Sequence, residues 1–544
     1  MTARPSQTAP QLEEADDASL VSAMLSRRAF GGVFGGIEGP GAGGSTYWLT
    51  RSVFLRALAG IYCVAFTVLC QQVVPLIGAQ GLLPADVYLE RIGVVTSFWQ
   101  HPSLFWFGCS DRSLQLSAAG GLLLSLLAVC GVDHALVMAL LWALYLSFVH
   151  IGQIFYGYGW ETLLLEAGFL AIFLSPWTRL SALRDPTPPP TLLFVCLWWL
   201  LFRLMFGAGM IKLRGDTCWR DLSCLVYHYE TQPVPHALSR ILHFAPRWFH
   251  QLGVLFNHFV ELIVPFGLFC GTRVRRVAVG FVVSFQGFLI ASGNLSFLNW
   301  LTIAIALGCV DDGVWRWLLP RRWVQSAQQL AINANRAGRL ARARHYSAVA
   351  YGCAVALLSI SPALNMLSPR QRMNTSFEPL HLVNSYGAFG SIGRERDEII
   401  LEGTTDDTLS STTRWRPYEL KCKPGDVRRR PCWITPYHYR LDWQMWFAAM
   451  SRIDHEPWLV SLVYKLLHND PVQLAQLAGN PFPSAPPRYI RAELYRYHFA
   501  ALGSGQYWTR ERIGSYLPAT SLEDKRLRAY LMQYGILPVG LRDR

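Results

Sequence analysis

Nine apolar stretches between residues 53 and 364 constrain this chain more than any motif in it. They run over residues 53–76, 114–132, 135–152, 160–176, 191–211, 252–270, 274–292, 297–310 and 348–364. An apolar run of roughly 17–25 residues crosses a hydrocarbon core as helix, because no other open structure satisfies its backbone N–H and C=O groups there. The pattern predicts a multi-span α-helical membrane bundle of about nine spans. The count falls if the short fourth and eighth stretches are re-entrant or interfacial. Only 16% of the 544 residues are charged and 52% are hydrophobic, against roughly 25% charged in soluble domains. That composition excludes a disordered chain, a collagen and an ordinary cytosolic enzyme.

The net charge of +13 is read first as a topology signal, because Lys and Arg collect on the untranslocated side. With the N-terminus in the cytosol and nine alternating spans, the cytosolic connections are residues 133–134, 178–190, 271–276 and 311–347. The third carries Arg273, Arg275 and Arg276; the fourth carries Arg321, Arg322, Arg336, Arg339, Arg342 and Arg344. The two most basic short loops thus share a side, and everything after about Pro369 falls on the lumenal or exoplasmic side. Topology accounts for the basic loops without a nucleic-acid partner, although RAGRLARAR (336–344) also suits anionic lipid headgroups. Residues 1–45 lack a basic region followed by an apolar core and include a Gly-rich run. They are expected to be a disordered cytosolic tail ahead of an uncleaved signal anchor. The final LRDR is not a KDEL-type signal, so residence in an internal membrane is expected to rest on the spans or on partners.

From about Ser368 the composition changes. Residues 398–402 (EIILE) and 418–421 read as short strands, and 433–447 (WITPYHYRLDWQMWF) as strands of a half-buried sheet by partial alternation. Residues 457–468 read as an amphipathic helix, 489–499 (YIRAELYRYHF) as a further strand, and 522–534 as a closing helix. The expected architecture is a helical transmembrane domain over 46–367, a lumenal α+β, sheet-containing domain over 368–520, and a C-terminal helix and tail over 521–544.

Of the 12 cysteines, those inside apolar stretches read as small core residues. Cys218 and Cys224 (DTCWRDLSC) and Cys422 and Cys432 (CKPGDVRRRPC) lie outside them, on the side where disulfides persist. Each pair is a candidate local disulfide. Free thiols or cross-pairing between the two loops are the alternatives, and neither spacing suits a zinc ligand pair. Asn374-Thr375-Ser376 is a candidate glycosylation sequon; Asn294-Leu295-Ser296 also matches but lies close to the membrane. The ionisable residues at membrane depth are Glu161, Glu166, Arg203, Lys212 and His150. Such groups face a partner or a cavity. Arg203 is expected to pair with Glu161 or Glu166 as a structural lock, and Lys212 to snorkel from a span end; the alternatives are that the set lines a substrate pathway or that Arg203, Glu161 and Glu166 converge on one cavity as a catalytic acid–base group. No catalytic set, cofactor motif or metal site can be read from the sequence, and no cofactor is expected.

Several stretches, in order, carry a family resemblance. They include YWLTRSVFLRALAGIYCVAF (47–66), QIFYGYGWETLLLEAGFLAIFL (153–174), WLLFRLMFGAGMIKLRGDTCWRDLSCLVYHYETQPVPHALS (199–239), NSYGAFGSIGRERDEIILEGT (384–404) and WRPYELKCKPGDVRRRPCWITPYHYRLDWQMWFAA (415–449). Over roughly residues 46–500 the chain resembles the lipase maturation factor family. The resemblance implies an endoplasmic-reticulum membrane protein, not an enzyme, that assists folding and assembly of secreted dimeric lipases; bacterial relatives would place the C-terminal domain outside the plasma membrane. The helical region also looks distantly like vitamin K-dependent gamma-carboxylase, which raises an integral-membrane enzyme as the alternative, with a transporter as a third reading. Two segments are candidate client contacts. Tyr386, Phe389 and Arg394 lie in YGAFGSIGR, whose glycines permit tight turns and for which a plain strand–turn–strand element is the alternative. Trp433, Tyr437, Tyr439, Trp443 and Trp446 lie in the aromatic segment, for which plain sheet core is the alternative.

Overall fold

The computed structural model describes residues 46–334 and 338–537, and within them each of the nine apolar stretches forms a helix over most of its length. The expected tail over 1–45 and Arg336 lie outside the described residues. Among the described residues, six helices are long and apolar enough to cross a membrane: α1 (Trp48–Ile77), α2 (Asp111–Val129), α5 (Thr191–Arg214), α6 (Arg247–Phe269), α7 (Thr272–Ser292) and α9 (Arg339–Leu367). Three shorter ones complete the bundle: α3 (Ala135–Ile151), α4 (Gly159–Leu174) and α8 (Leu298–Leu307). α4 is buried along most of its length, which explains how a helix carrying two glutamates sits among apolar neighbours.

One end of the bundle is knit together by its own charges. The Asp312 carboxylate accepts the first backbone N–H groups of α1, from Trp48 (2.8 Å), Leu49 (2.9 Å) and Thr50 (3.0 Å). These are donors that a helix start leaves without intrahelical partners. Asp185 receives both Arg51 (3.0 Å) and Arg344 (2.6 Å), and all three are buried. Asp133 accepts the Ala182 N–H (2.6 Å) and pairs with Arg56 (3.3 Å); Arg276 pairs with Asp311 (2.7 Å). The start of α1 and the connections 133–134, 178–190, 271–276 and 311–347 therefore meet at one end. Two arginines counted in the sequence as loop charges have a different use: Arg344 and Arg275 are buried, the latter 3.7 Å from the Trp198 ring centroid.

The C-terminal region packs on the other end. Gln72, about 30 Å along α1 from Arg51 at 1.5 Å per residue, donates to the His438 carbonyl (2.9 Å). The region holds a two-stranded ladder, β1 (Thr375–Ser376) with β2 (Asn384–Ser385), and a four-stranded antiparallel sheet ordered β4-β3-β5-β6. Its strands are β3 (Arg396–Thr404), β4 (Arg416–Tyr418), β5 (Tyr489–Phe499) and β6 (Trp508–Thr520). β3 is central and almost wholly buried. β6 is an edge with Arg510, Glu511 and Arg512 facing out, the charge that discourages edge pairing. Helices α10 (Arg440–Ala448), α11 (Pro457–Leu467) and α12 (Lys525–Gln533) complete the region. The described residues form one compact unit.

The strand reading of 433–447 is overturned. Residues 440–448 are helix α10, with Leu441, Asp442, Trp443, Gln444 and Met445 all buried in succession. A segment buried on every side loses the alternation that signals a half-buried strand. The preceding residues pair with a bundle loop: the Ile434 and Thr435 N–H groups donate to Asn294 Oδ1 (2.9 and 3.2 Å).

Candidate functional site

The seam between the bundle and the C-terminal region concentrates the residues that the sequence singles out. Glu166 on α4 forms an ion pair with Arg203 on α5, both buried. The same carboxylate accepts the Asn384 N–H (3.0 Å), the Asn384 side-chain amide (3.1 Å) and the Tyr386 hydroxyl (2.7 Å). Arg203 donates to the Asn384 carbonyl (2.6 Å). β2 is thereby fixed to two membrane helices. Gly207 and Gly215 allow the close approach that follows: a Cβ there would lie 2.7 Å from the Tyr386 carbonyl oxygen and 2.2 Å from that of Gly390. The glycines of 387–393 do not supply left-handed turns; the positive φ in that loop belongs to Phe389 (φ 54).

Glu161 has a separate partner, Arg440 on α10, at 2.7 Å. Arg440 also donates to the Phe155 carbonyl (2.6 Å), and its guanidinium lies 3.7 Å from the Tyr156 ring centroid. Tyr145 and Trp160 donate to Glu161 as well, Trp160 at 2.9 Å. Arg203, Glu161 and Glu166 thus form two locks, one per carboxylate, each closed by a residue of the C-terminal region. Lys212 does not snorkel: it is buried and bonded to Glu261 (2.5 Å) and Asn257 (3.0 Å). His150 bonds the Pro379 carbonyl (2.8 Å) beside His101 (3.3 Å).

The second sequon is structural. Asn294 is buried, and its amide donates to the Cys432 (2.9 Å) and Val234 (3.2 Å) carbonyls. Asn374 is exposed at the start of the β1 turn. Cys218 is joined to Cys224 (Cα–Cα 4.7 Å) and Cys422 to Cys432 (5.6 Å). Beside the first pair, Asp216 pairs with Arg394 (2.7 Å) and Trp219 donates to the Phe389 carbonyl (2.9 Å). Beside the second, the Cys422 and Lys423 N–H groups donate to Asp442 (2.7 and 2.8 Å). Burial pushes the Asp442 carboxyl up to about 6, and pushes Lys423, paired with Glu398 at 2.5 Å, down to about 8.

A cavity of about 340 Å³ lies in the seam. Trp160, Trp443, Trp446 and Phe447 line it together with Tyr386 and Phe389. A smaller chamber of about 80 Å³ adjoins it within the bundle. The candidate contact residues therefore divide. Tyr386 and Trp443 are buried at the cavity and cannot form an outer contact surface. Phe389, Tyr437, Tyr439 and Trp446 are half-buried. Trp433 is 57% exposed and stacks on His236 (4.8 Å), and Arg394 is exposed.

The family model for the lipase maturation factor transmembrane domain matches residues 49–317, and that for the lipase maturation factor C-terminal domain matches residues 382–518. This chain belongs to the lipase maturation factor family. It is 48% identical to Lipase maturation factor 1 of Bos taurus over 510 residues, 88% of this chain and 90% of that one. It is 46% identical to Lipase maturation factor 1 of Homo sapiens over 516 residues, 90% of each. Against Lipase maturation factor 2 of Homo sapiens the identity is 30% over 607 residues, 90% of this chain and 85% of that one. No solved structure matches. In this chain the two family regions meet through the two locks: Glu161, Glu166 and Arg203 come from the transmembrane match, Asn384, Tyr386 and Arg440 from the C-terminal match. Sequence reasoning missed Arg440, Asn384 and Gln72, and read Asn294 only as a second sequon match. The signal for Arg440 was arithmetic: two buried carboxylates and one span arginine left one carboxylate unneutralised.

Proposed function

We propose that this protein is a maturation factor for secreted dimeric lipases in the endoplasmic-reticulum membrane, with a cytosolic N-terminus and the C-terminal region in the lumen. The observation that carries this reading is 46–48% identity, over about nine-tenths of both chains, to proteins named Lipase maturation factor 1. Those names point to maturation rather than catalysis. The division into a membrane domain (46–367), a lumenal domain (368–520) and a closing helix and tail (521–544) belongs to this reading. So do oxidised Cys218–Cys224 and Cys422–Cys432 pairs and a glycan on Asn374, all of which suit an oxidising lumen.

The physical role is chaperone-like. A lipase monomer exposes apolar dimer surface before assembly, and such surface aggregates. A membrane-fixed region that shields it until the second subunit arrives raises the yield of active dimer. Trp433, next to Arg394 in this role, is the contact residue of choice because both side chains reach solvent. The enzyme alternative required Arg203, Glu161 and Glu166 to converge on one cavity, and their engagement in two filled locks weighs against it.

Deleting the gene while expressing a secreted dimeric lipase tests the role. The specific activity of the lipase in the medium should fall, and unchanged activity refutes the role for that client. A glycosylation tag placed at the C-terminus should be modified; an unmodified tag overturns the orientation.

A further inference from the structure

The seam cavity and its inner chamber share walls. Leu204, Ala208, Leu295, Leu298, Ala388 and Phe389 line both, so the two form adjoining spaces of about 340 and 80 Å³. The outer space is faced by three tryptophans and Phe447, walls suited to an apolar body. The inner one contains polar groups whose hydrogen-bonding capacity is unspent. Asn299 is 2% exposed and gives its Nδ2 to Gln286 (2.7 Å), but its Oδ1 has no partner among the described residues. Tyr229 is 1% exposed and its hydroxyl has none either. His228, 5% exposed, lies on the same wall in ring contact with Tyr229 and Phe389 (4.8 Å). Buried polar atoms are overwhelmingly paired in folded proteins, so two unpaired groups lining one chamber beside an imidazole call for a ligand group.

Charge narrows the ligand. Lys212, the cation on the chamber wall, is neutralised by Glu261 at 2.5 Å. Burial, with Lys212 nearby, holds the His228 imidazole down at about 4, hence neutral at physiological pH. A charged headgroup would find no counter-charge and would bear the full cost of desolvation. A hydroxyl accepts from one neighbour and donates to another, which matches the Tyr229 hydroxyl and Asn299 Oδ1.

We propose that the seam holds one uncharged, hydroxyl-bearing lipid, its hydroxyl in the chamber at Tyr229, His228 and Asn299 and its apolar body against Trp160, Trp443 and Trp446. Acylglycerols and sterols share this chemistry. The site does not depend on the identity of the client.

The full chain is purified in phosphatidylcholine nanodiscs and illuminated with one of three photoreactive probes: a monoacylglycerol, a sterol or a phosphatidylserine. Labelled peptides are mapped by mass spectrometry. The monoacylglycerol or the sterol should label peptides holding Leu204–Ala208, Leu295–Asn299 or Trp443–Phe447, and an excess of the same unlabelled lipid should remove the label. The lipid that competes identifies the source. Tyr229→Phe, which removes only the hydroxyl, should weaken competition about threefold to tenfold at an unchanged melting temperature. Ala208→Trp, filling the wall common to both spaces, should abolish the label. Overturning results are label confined to outward-facing positions such as Leu123 and Val277, an equal seam label from phosphatidylserine, or seam labelling that is indifferent to Tyr229→Phe in folded protein. A seam without label from either neutral probe, the result for a chamber filled only by water, overturns it equally.

Discussion

Replacing Arg440 should loosen the seam far more than any surface change, and the size follows from its contacts. Arg440→Ala removes the pair to Glu161, the bond to the Phe155 carbonyl and the stack on Tyr156. It also leaves Glu161, fully buried, with only neutral donors. Breaking a buried ion pair from one side costs about 3–5 kcal/mol, which is about two to three and a half orders of magnitude in an opening equilibrium. Hydrogen exchange of the α10 amides in detergent-solubilised protein reads that equilibrium. Exchange over Arg440–Ala448 should accelerate by that factor, while amides in the middle of α1 stay protected. The partner substitution Glu161→Gln, combined with Arg440→Gln, should cost much less than the sum of the single changes, because neither leaves a lone charge. Additive single effects, or an α10 acceleration no greater than that at α1, would refute the lock.

Non-reducing peptide mapping should recover Cys218 linked to Cys224 and Cys422 linked to Cys432; a cross-linked 218–432 or 224–422 peptide contradicts the account, and Cys432→Ser should cost about 2–3 kcal/mol. Expressed in cells with an endoplasmic reticulum, the protein should lose one endoglycosidase-sensitive mobility step on Asn374→Gln, whereas a glycan found on Asn294 would contradict its burial. Asp442 keeps its proton up to about pH 6 when folded but only to its ordinary value of 3.8 when unfolded. The unfolded chain therefore binds fewer protons in that window, and stability should fall as pH rises through it, by up to about 3 kcal/mol. Asp442→Asn should flatten this descent in thermal melts across the same pH range, and an unchanged slope refutes the assignment.

The helices were legible because lipid imposes one rule along the whole chain: long apolar runs must be helical. Charge alternation placed five segments on one side, and the Asp312, Asp311, Asp185 and Asp133 contacts join those same five. What the alternation could not distinguish was a basic residue at a membrane surface from one used inside the bundle, as with Arg344 on Asp185. The strand 489–499 was legible by its period, and 433–447 was misread because helix α10 is buried all round and has no period to show. The locks were half legible. Span charges announce that a partner exists, but the partners Arg440 and Asn384 lie 279 and 218 residues away, a distance no local pattern crosses. The cavity was not legible at all, since its walls come from segments spread from Gly157 to Phe447.

The most direct measurement is complementation. Cells lacking their own lipase maturation factor are made to secrete a dimeric lipase, with or without this chain, and lipase activity is divided by lipase mass in the medium. The wild-type chain should raise this ratio, and Arg440→Ala should raise it less at equal expression. A ratio that stays at the empty-vector level with well-expressed, membrane-inserted wild-type protein would contradict the maturation role.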